Sequence, residues 1–530
     1  ISNRKWIMGL ISLIDNLDSA TKTKLLGAET TKIIRYSFAV DQNAPLDQSI
    51  LNKAIALHDG VNLVDKDNKR ADLIYAISRN ELINTGFKDT KDIYSQALKK
   101  YKKHKNAFYI DFDIEDEFRK IIVKDDRENH EYVKPIYGVC NGKNAFPHPY
   151  QLRLKKIITE KLSGNNYDSK KLLVTMPTGA GKTVLAMEVI VDILRSHHYN
   201  EPINIAWIVN SKELCEQSLQ SFQKLWKQKG DRPIMAQRYF DQFNSFNKEN
   251  VDKITFASFQ LLVPRINYNT KEDIDFISNL DYLFIDEAHF SKADEYKKVI
   301  NTYLDNNNDP KIIGLTATPY RTDDDNLRTL KSQFNHYIKL TDVNNQEVKN
   351  PIDYLIDKEY LSNISYEVVN TFSNDINPFE YYKELHSSIL KVCKNLIEQN
   401  NNTIIFAESK AHAIALSLYL KVNEIENGLI VGETPNINRK NLLKRLGDKD
   451  DSLNVIVNER ILQTGIDVPG LNSIIILTKI ESPNTALQIL GRAMRGPKNG
   501  GNKNNAIYVT QTNRTLLENY NIIQQKVLRK

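Results

Sequence analysis

The chain has 530 residues, of which 41% are hydrophobic and 26% charged, a balance typical of soluble proteins. This length exceeds what one hydrophobic core usually serves and predicts about three domains. Lys and Arg (72) outnumber Asp and Glu (66), giving a net charge of +6. Such a mildly basic chain permits a nucleic-acid partner and excludes a histone-like charge density.

Cysteine usage and the early apolar run bear on location. Cys140, Cys215 and Cys393 are far apart and form no CxxC pair, so we expect no structural zinc or iron–sulfur cluster. So few cysteines fit a reducing cytosol and predict a cytoplasmic protein. The apolar run at residues 6–14 is too short to span a bilayer, and no small-residue cleavage site follows it. We therefore expect a helix there and no membrane partner.

Residues 1–145 show helix-like patterns without a series of strands, which predicts a mainly helical N-terminal accessory domain. The run KKYKKHK (99–105) could bind phosphates, although a solvated helix face is favoured. DFDIEDEF (111–118) alternates carboxylates in a possible strand and could belong to a metal-dependent nuclease. The lysine spacing such a site needs is not clear, so a solvated acidic edge is favoured.

From about residue 170, short apolar runs alternate with longer amphipathic stretches, which indicates parallel sheets covered on both faces. The first set predicts a domain over 146–345, and the second predicts one over 346–530, with a linker near 341–355. The runs of the first set are KLLVT, INIAWIV, KITFAS, YLFI and KIIGL. Those of the second set are TIIFA, GLIV, LNVIV, SIIIL and NAIYVT.

The segment MPTGAGKT (176–183) lies between a predicted strand and a predicted helix, the context that a phosphate-binding loop requires. Gly179 and Gly181 would let the backbone wrap a triphosphate. Lys182 could reach the β- and γ-phosphates, and Thr183 could hold Mg²⁺. Met176 departs from the general pattern, which has glycine there. The alternative is an ordinary strand-to-helix turn.

The segment DEAH (286–289) follows the apolar run YLFI, and the carboxyl end of a strand is where α/β sheets bind ligands. Asp286 could coordinate Mg²⁺ through water, and Glu287 could orient and deprotonate the attacking water. An isolated acidic pair at this position is more often a helix N-cap. Its position downstream of the phosphate loop favours catalysis.

In order and spacing, MPTGAGKT, DEAH and TATP (316–319) resemble the first motor domain of superfamily 2 DEAD/DEAH-box helicases. The resemblance covers about residues 146–515, and the tail RGPKNGG is similar to that of restriction-enzyme motor subunits and RadD-like helicases. The remaining similar segments are IVNSKELCEQ (208–217), TFASFQLL (255–262), IIFAESKAHA (404–413), NERILQTGIDVPG (458–470) and QILGRAMRG (488–496).

The resemblance implies an α/β fold with two tandem RecA-like parallel-sheet domains, and ATP with Mg²⁺ bound between them. The catalytic residues that it implies are Lys182, Asp286, Glu287, His289, Gln488, Arg492 and Arg495. The nucleotide-binding residues are Tyr150, Gln151, Pro177, Thr178, Gly179, Ala180, Gly181, Lys182, Thr183, Gly465 and Asp467, with Thr183 and Asp286 on the metal.

Two of these assignments have plain alternatives. Arg492 and Arg495 are three residues apart and would share one face of a helix that the family points at the γ-phosphate; an isolated pair would be a surface feature. Tyr150 and Gln151 of PHPYQLR resemble an adenine-sensing element, but they could simply begin a helix.

By analogy with the family, small hydroxyl side chains would contact nucleic-acid phosphates, which position a strand without identifying its sequence. Each hydroxyl could equally be a helix cap. These candidates are Ser211, Ser258, Thr316, Thr318, Ser409 and Thr464.

The sequence thus predicts an ATP-dependent helicase or translocase with double-stranded DNA as its track. One alternative is the motor subunit of a restriction or phage-defence complex that moves DNA for a partner nuclease without unwinding it. Another is an ATP-gated clamp that senses nucleic acid without travelling.

Overall fold

The computed structural model describes residues 8–39, 41, 46–112, 114, 127–136, 147–164, 170–197, 201–288, 294–317, 333–370, 376–448, 451–459 and 470–519. Within these ranges, the first part of the chain is helical, as predicted. Its helices are α1 (Met8–Asp15), α2 (Ser19–Leu26), α3 (Ala28–Phe38), α4 (Gln48–Asp65), α5 (Asp67–Ala76), α6 (Arg79–Asn84), α7 (Ile93–Lys103) and α8 (Lys105–Asp111).

Domain 1 is built on a sheet that, in the described ranges, has the strand order β1-β4-β5-β3-β6-β7-β2-β8. Its strands are β1 (His130–Val133), β2 (Lys171–Thr175), β3 (Asn204–Val209), β4 (Ile234–Tyr239), β5 (Lys253–Ser258), β6 (Tyr282–Ile285), β7 (Ile312–Thr316) and β8 (His336–Ile338). Its helices are α9 (Pro149–Ser163), α10 (Lys182–Ser196), α11 (Lys212–Lys229), α12 (Phe259–Asn267), α13 (Lys271–Ser278) and α14 (Asp294–Asp305). β1 pairs antiparallel with β4, and the other recorded pairings are parallel.

Domain 2 has a parallel sheet with the described strand order β11-β12-β10-β13-β14-β9. Its strands are β9 (Asn363–Asn370), β10 (Asn402–Phe406), β11 (Asn427–Ile430), β12 (Val455–Asn458), β13 (Leu471–Ile476) and β14 (Asn504–Thr510). Its helices are α15 (Pro351–Asp357), α16 (Pro378–Glu398), α17 (Lys410–Val422), α18 (Asn436–Leu446), α19 (Pro483–Ala493) and α20 (Gln511–Asn519), with a 3-10 helix at Pro497–Asn499.

The prediction of two parallel-sheet domains after a helical region is confirmed, and strands form at all ten apolar runs. Buried strands such as β2 are apolar on both faces because helices cover both sides of a parallel sheet. β1 was not predicted: it adds residues 130–133, from the region expected to be helical, to the edge of domain 1. The expected linker region holds the start of α15.

The N-terminal helices pack on domain 2, although domain 1 follows them in sequence. Helix α3 packs against α16 and α17. Ala411, Ala415 and Leu418 of α17 are buried in the same apolar core as α1–α8. Ser37 of α3 lies 2.8 Å, oxygen to Nδ1, from the fully buried His386 of α16. The N-terminal region therefore shares a core with domain 2.

Candidate functional site

The phosphate loop runs from the end of β2 to the start of α10. Gly179 and Gly181 adopt φ values of +82° and +74°, a backbone region that side-chain-bearing residues rarely occupy. Gly181 caps α10, so Lys182 and Thr183 are the first two residues of that helix. Backbone N–H groups at a helix N-terminus attract anions. Met176 is buried, and its N–H donates to the Thr316 carbonyl (3.1 Å), which anchors the loop to β7.

Tyr150 and Gln151 form hydrogen bonds with backbone carbonyls of the phosphate loop. Both are buried in the first turn of α9. The Tyr150 hydroxyl donates to the Ala180 carbonyl at 2.8 Å. Gln151 Nε2 donates to the carbonyls of Ala180 (3.3 Å) and Gly181 (3.2 Å). In this conformation the Gln151 amide binds the loop, and its reading of an adenine edge stays a prediction.

Asp286 and Thr183, the two predicted metal ligands, are brought together. The Thr183 hydroxyl lies 3.3 Å from Asp286 Oδ2, at the carboxyl end of β6. Burial, and then the neighbouring charge of Glu287, raise the pKa of the Asp286 carboxyl, whereas the Lys182 ammonium opposes the shift. A divalent cation would compensate this buried negative charge. Oxygen ligands of this kind fit Mg²⁺.

Glu287 has φ of +52°, which is uncommon for a residue with a side chain. Backbone strain of this kind is concentrated at functional sites. Its N–H donates to Asp286 Oδ1 at 2.9 Å, so the adjacent carboxylate helps to hold the turn. The half-buried Glu287 side chain thereby follows Asp286 directly at the strand end.

Helix α19 of domain 2 meets the phosphate loop across the cleft. A Cβ atom added to Gly491 would lie 2.0 Å from Thr178 Cγ2, so only glycine permits this approach. A Cβ added to Gly179 would lie 3.4 Å from the Gly491 carbonyl oxygen and 3.2 Å from Leu361 Cδ2. Gln488 is also on α19. The loop and the helix were predicted to meet around one triphosphate, and the structure places them in contact.

The predicted pairing of the two arginines on one helix is wrong. Arg492 is on α19, but the helix ends at Ala493. Arg495 lies beyond the end, where its backbone forms an antiparallel bridge with Leu361. The two guanidinium groups therefore start from differently oriented backbones.

Three of the hydroxyl candidates for nucleic-acid contact are helix N-caps. Ser211, Ser258 and Ser409 accept hydrogen bonds from backbone N–H groups in the first turns of α11, α12 and α17. Ser258 is only 2% exposed and Thr316 is fully buried. These last two cannot touch a strand in this conformation, because the ends of β5 and β7 are enclosed. Ser211 and Ser409 are half-buried and remain candidates.

Five predicted residues lie outside the described residues: His289, Thr318, Thr464, Gly465 and Asp467. Their roles stay predictions.

The charged runs of the N-terminal region have structural partners. Tyr101 is buried, and its hydroxyl and the Lys100 ammonium contact Asp111 at 2.9 and 2.7 Å. Lys99 and Lys102 are exposed, as expected of a solvated helix face. Asp111 ends helix α8, so the acidic run does not begin as a strand; most of the rest of it lies outside the described residues.

No helix in the described ranges is long and apolar enough to cross a membrane. Among the same residues, no group of three or more His, Cys, Asp or Glu side chains is placed to hold a metal ion.

The contacts that close the cleft beside the loop were not predicted from the sequence. His148, Tyr360 and Asn499 join the two domains there, and none of them was a candidate. Asn499 lies within the tail RGPKNGG, which was noted only for its resemblance. The sequence therefore marked the segment that contains Asn499, but a single sequence could not identify His148 as its partner.

A phosphate loop on one parallel-sheet domain, faced by an arginine-bearing helix from a second such domain, defines a two-domain RecA-like fold. Residues 145–321 match the family described as "Type III restriction enzyme, res subunit". Residues 387–497 match the "Helicase conserved C-terminal domain". The two matches support a superfamily 2 helicase that resembles restriction-enzyme motor subunits.

Several curated proteins are similar to the chain. The candidate helicase 22 of Sulfolobus islandicus filamentous virus is 25% identical over 62% of this chain and 58% of its own length. The candidate ATP-dependent helicase IRC3 of Saccharomyces cerevisiae is 24% identical over 62% of this chain and 46% of its own length. The type I restriction enzyme EcoKI endonuclease subunit of Escherichia coli is 24% identical over 62% and 31%. The chain thus spans about half the length of the first two.

Among solved structures, Mss116p with two terminal deletions, bound to single-stranded RNA and AMP-PNP, superposes with a TM-score of 0.51. It is 17% identical and covers 72% of each chain. At that identity the likeness bears on the fold alone, which is RecA-like in both domains.

Proposed function

We propose that the chain is a nucleic-acid-stimulated ATPase that converts ATP hydrolysis into movement on, or unwinding of, double-stranded DNA. The observation that carries the proposal is the direct contact between the phosphate loop and α19, at Thr178 and Gly491. Groups from two domains then surround one nucleotide, so that binding and release of ATP can change the relation between the domains.

The residues on each side suit phosphoryl transfer. Lys182 and the N-terminus of α10 would bind the β- and γ-phosphates, and Thr183 with Asp286 would hold Mg²⁺. When bound, Mg²⁺ neutralises charge on the phosphate oxygens. Glu287 would orient the attacking water and accept its proton. Arg492 and Arg495 would stabilise charge on the transferring group from domain 2.

The nucleic-acid track is argued from chemistry and likeness together. Ser211 and Ser409 cap helices on different domains, and a helix N-terminus with a hydroxyl suits a phosphate oxygen. A strand held at both places would shift when the domains move relative to one another. The match to a restriction-enzyme subunit family supports double-stranded DNA as the track.

The test is ATP turnover with no nucleic acid, single-stranded DNA, double-stranded DNA and RNA. We expect the largest stimulation by double-stranded DNA, and we expect Lys182→Ala to abolish turnover without lowering the thermal midpoint. Lys156→Ala, which removes an exposed lysine of α9, is the matched control and should leave turnover unchanged. Turnover retained by Lys182→Ala would overturn the proposal.

A second candidate function is a motor subunit that translocates DNA for a partner nuclease without unwinding it. The match of residues 145–321 to a type III restriction subunit favours it. Triplex displacement without strand displacement would support this candidate. Strand displacement by the chain alone would support a helicase.

A further inference from the structure

The segment that follows α19 is joined by backbone hydrogen bonds to the residues that precede β9. Ser362 N–H donates to the Met494 carbonyl (2.9 Å), and Gly496 N–H donates to the Tyr360 carbonyl (3.1 Å). A Cβ on Gly496 would lie 2.5 Å from the Glu359 carbonyl oxygen, so the two backbones approach as closely as glycine allows. Tyr360 and the segment 494–501 therefore move together as part of domain 2.

The first contact of this unit with domain 1 is aromatic. The Tyr360 ring lies 4.8 Å from the Tyr150 ring in an edge-on arrangement and 4.5 Å from the His148 ring. Such ring pairs are attractive beyond the area that they bury. The Tyr150 hydroxyl, at the other end of the side chain, holds the Ala180 carbonyl of the phosphate loop.

The second contact is polar. Asn499 Nδ2 donates to the Tyr360 carbonyl at 2.7 Å. Because a carbonyl can only accept, this hydrogen bond fixes the orientation of the Asn499 amide. The amide oxygen, Oδ1, then faces His148 Nε2 at 2.7 Å. Since Oδ1 is an acceptor, His148 Nε2 must carry the ring proton and donate it. The His148 backbone N–H donates to Gln151 Oε1 at 2.8 Å, and Gln151 Nε2 donates to Ala180.

Two series of contacts thus connect domain 2 to the Ala180 carbonyl of the phosphate loop. One passes through the Tyr360 and Tyr150 rings, and the other passes through Asn499, His148 and Gln151. We propose that Tyr360 and Asn499 are positioning residues, and that with His148 and Tyr150 they form a clasp through which domain 2 sets the shape of the phosphate loop. The inference rests on the proposed ATPase function. None of the four side chains needs to touch the phosphates, since they act through Tyr150 and Gln151.

Loss of the clasp should loosen the loop and weaken nucleotide binding more than it slows the chemical step. Removing one well-formed hydrogen bond predicts a rise in KM for ATP of about three- to tenfold. The value of kcat at saturating ATP should change less than the KM, because the groups that act on the phosphates stay in place. A merely structural role would lower the thermal midpoint and leave KM unchanged.

The experiment compares Asn499→Ala on domain 2 with His148→Ala on domain 1, in the full chain. Asn504→Ala is the control, because that residue is exposed and bonds only to Asn363 across the sheet edge in the described structure. Steady-state ATP turnover with double-stranded DNA gives KM and kcat, and a fluorescent ATP analogue gives a dissociation constant without turnover. His148→Gln retains an N–H near the original Nε2 and should restore most of the affinity.

The expected result is a rise in KM for both alanine variants and a rise in the double variant that is smaller than the product of the two single effects, because both variants remove the hydrogen bond between His148 and Asn499. Wild-type KM in either variant, or fully multiplied effects in the double variant, would each overturn the clasp. Absence of turnover in the wild-type chain would instead contradict the proposed function. The two failures are therefore distinguishable.

Discussion

Gly491 of domain 2 lies so close to Thr178 of domain 1 that a Cβ atom at Gly491 would come within 2.0 Å of Thr178 Cγ2. This is the tightest of the contacts that glycines make between the two domains in the described structure. Gln488, Gly491 and Arg492 are spaced three and four residues apart on α19, so they share one face of the helix. The approach of Gly491 therefore also determines how close the Gln488 and Arg492 side chains come to the phosphate loop.

Gly491→Ala should hold the domains apart at the phosphate loop. Overpacking at a tight contact costs about 1–3 kcal/mol, which corresponds to about a 5- to 150-fold loss of turnover if the closed arrangement is the active one. The thermal midpoint should change little, because each domain keeps its own core. Steady-state ATP turnover and thermal melting measure the two effects.

Gly432→Ala is the matched control, since an added Cβ there meets no atom within 4 Å. It should leave turnover at the wild-type value. Wild-type turnover in Gly491→Ala would show that the closed contact plays no part in hydrolysis.

Glu287→Gln and Asp286→Asn should separate two functions of adjacent carboxylates. Glu287→Gln should keep ATP and Mg²⁺ binding while lowering turnover by about 10²–10⁴, the range for loss of a general base. Asp286→Asn should raise the Mg²⁺ concentration that half-maximal turnover needs, because it removes a charged ligand beside Thr183.

Magnesium titrations of turnover distinguish the two variants, with the exposed Glu272→Gln on α13 as control. An unchanged Mg²⁺ requirement in Asp286→Asn would contradict the proposed metal site. Rapid turnover in Glu287→Gln would assign the base to another group.

The sequence predicted those parts of the fold where burial and local pattern agree. The apolar runs that became β2 and β10 are covered on both faces, so composition alone marks them. β4 was missed because it carries Gln237 and Arg238, which are buried in the structure. Arg238 forms ion pairs with Glu216 and Glu131, which are distant from it in sequence. These pairs compensate its buried charge, and they cannot be predicted from a single sequence.

In the candidate site too, the sequence predicted the features that depend on local backbone conformation. Gly179 and Gly181 mark the loop because the backbone conformation requires glycine, and that is a local property. The docking of the N-terminal helices on domain 2 was not predicted. The helix α17 carries apolar residues around its whole circumference, a pattern typical of a helix covered on two sides. That pattern indicates a second neighbour without identifying it as α3.

The interface between α3 and domain 2 should weaken in mild acid. His386 is fully buried, and its ring stacks on that of His412, 5.1 Å away. Burial, and then His412, hold the pKa of His386 well below its usual range. Ser37 and Tyr382 also face His386, and Glu408 lies 3.1 Å from His412.

A histidine whose pKa is lower in the folded state stabilises the fold above its unfolded pKa, near 6.5, and this contribution is lost as the pH falls. Between pH 7.5 and 5.5 the loss is about 1.4 kcal/mol. Hydrogen exchange of the α3 amides, corrected for intrinsic rates, should therefore quicken by about tenfold. His386→Asn offers Ser37 an amide that does not titrate and should remove this pH dependence, whereas His104→Asn, at an exposed site, should not. Equal pH dependence in all three proteins would contradict the assignment.

Arg492→Ala should lower the turnover number with little effect on nucleotide affinity. A guanidinium that stabilises charge only during phosphoryl transfer contributes about 10³–10⁵ in rate. Arg492→Lys should not restore turnover, because an ammonium cannot reproduce the planar set of donors.

Arg495 lies beyond the helix, where the backbone bridge to Leu361 does not depend on the side chain, so Arg495→Ala should leave this part of domain 2 unchanged. If both guanidinium groups act on one phosphoryl group, the double variant should be little worse than Arg492→Ala alone. Single-turnover rates at saturating ATP measure this. The control is Arg514→Ala, which breaks the ion pair to Glu518 on α20. A single-turnover rate in Arg492→Ala within about twofold of wild type, far from the loss expected of such a group, would remove α19 from the catalytic site.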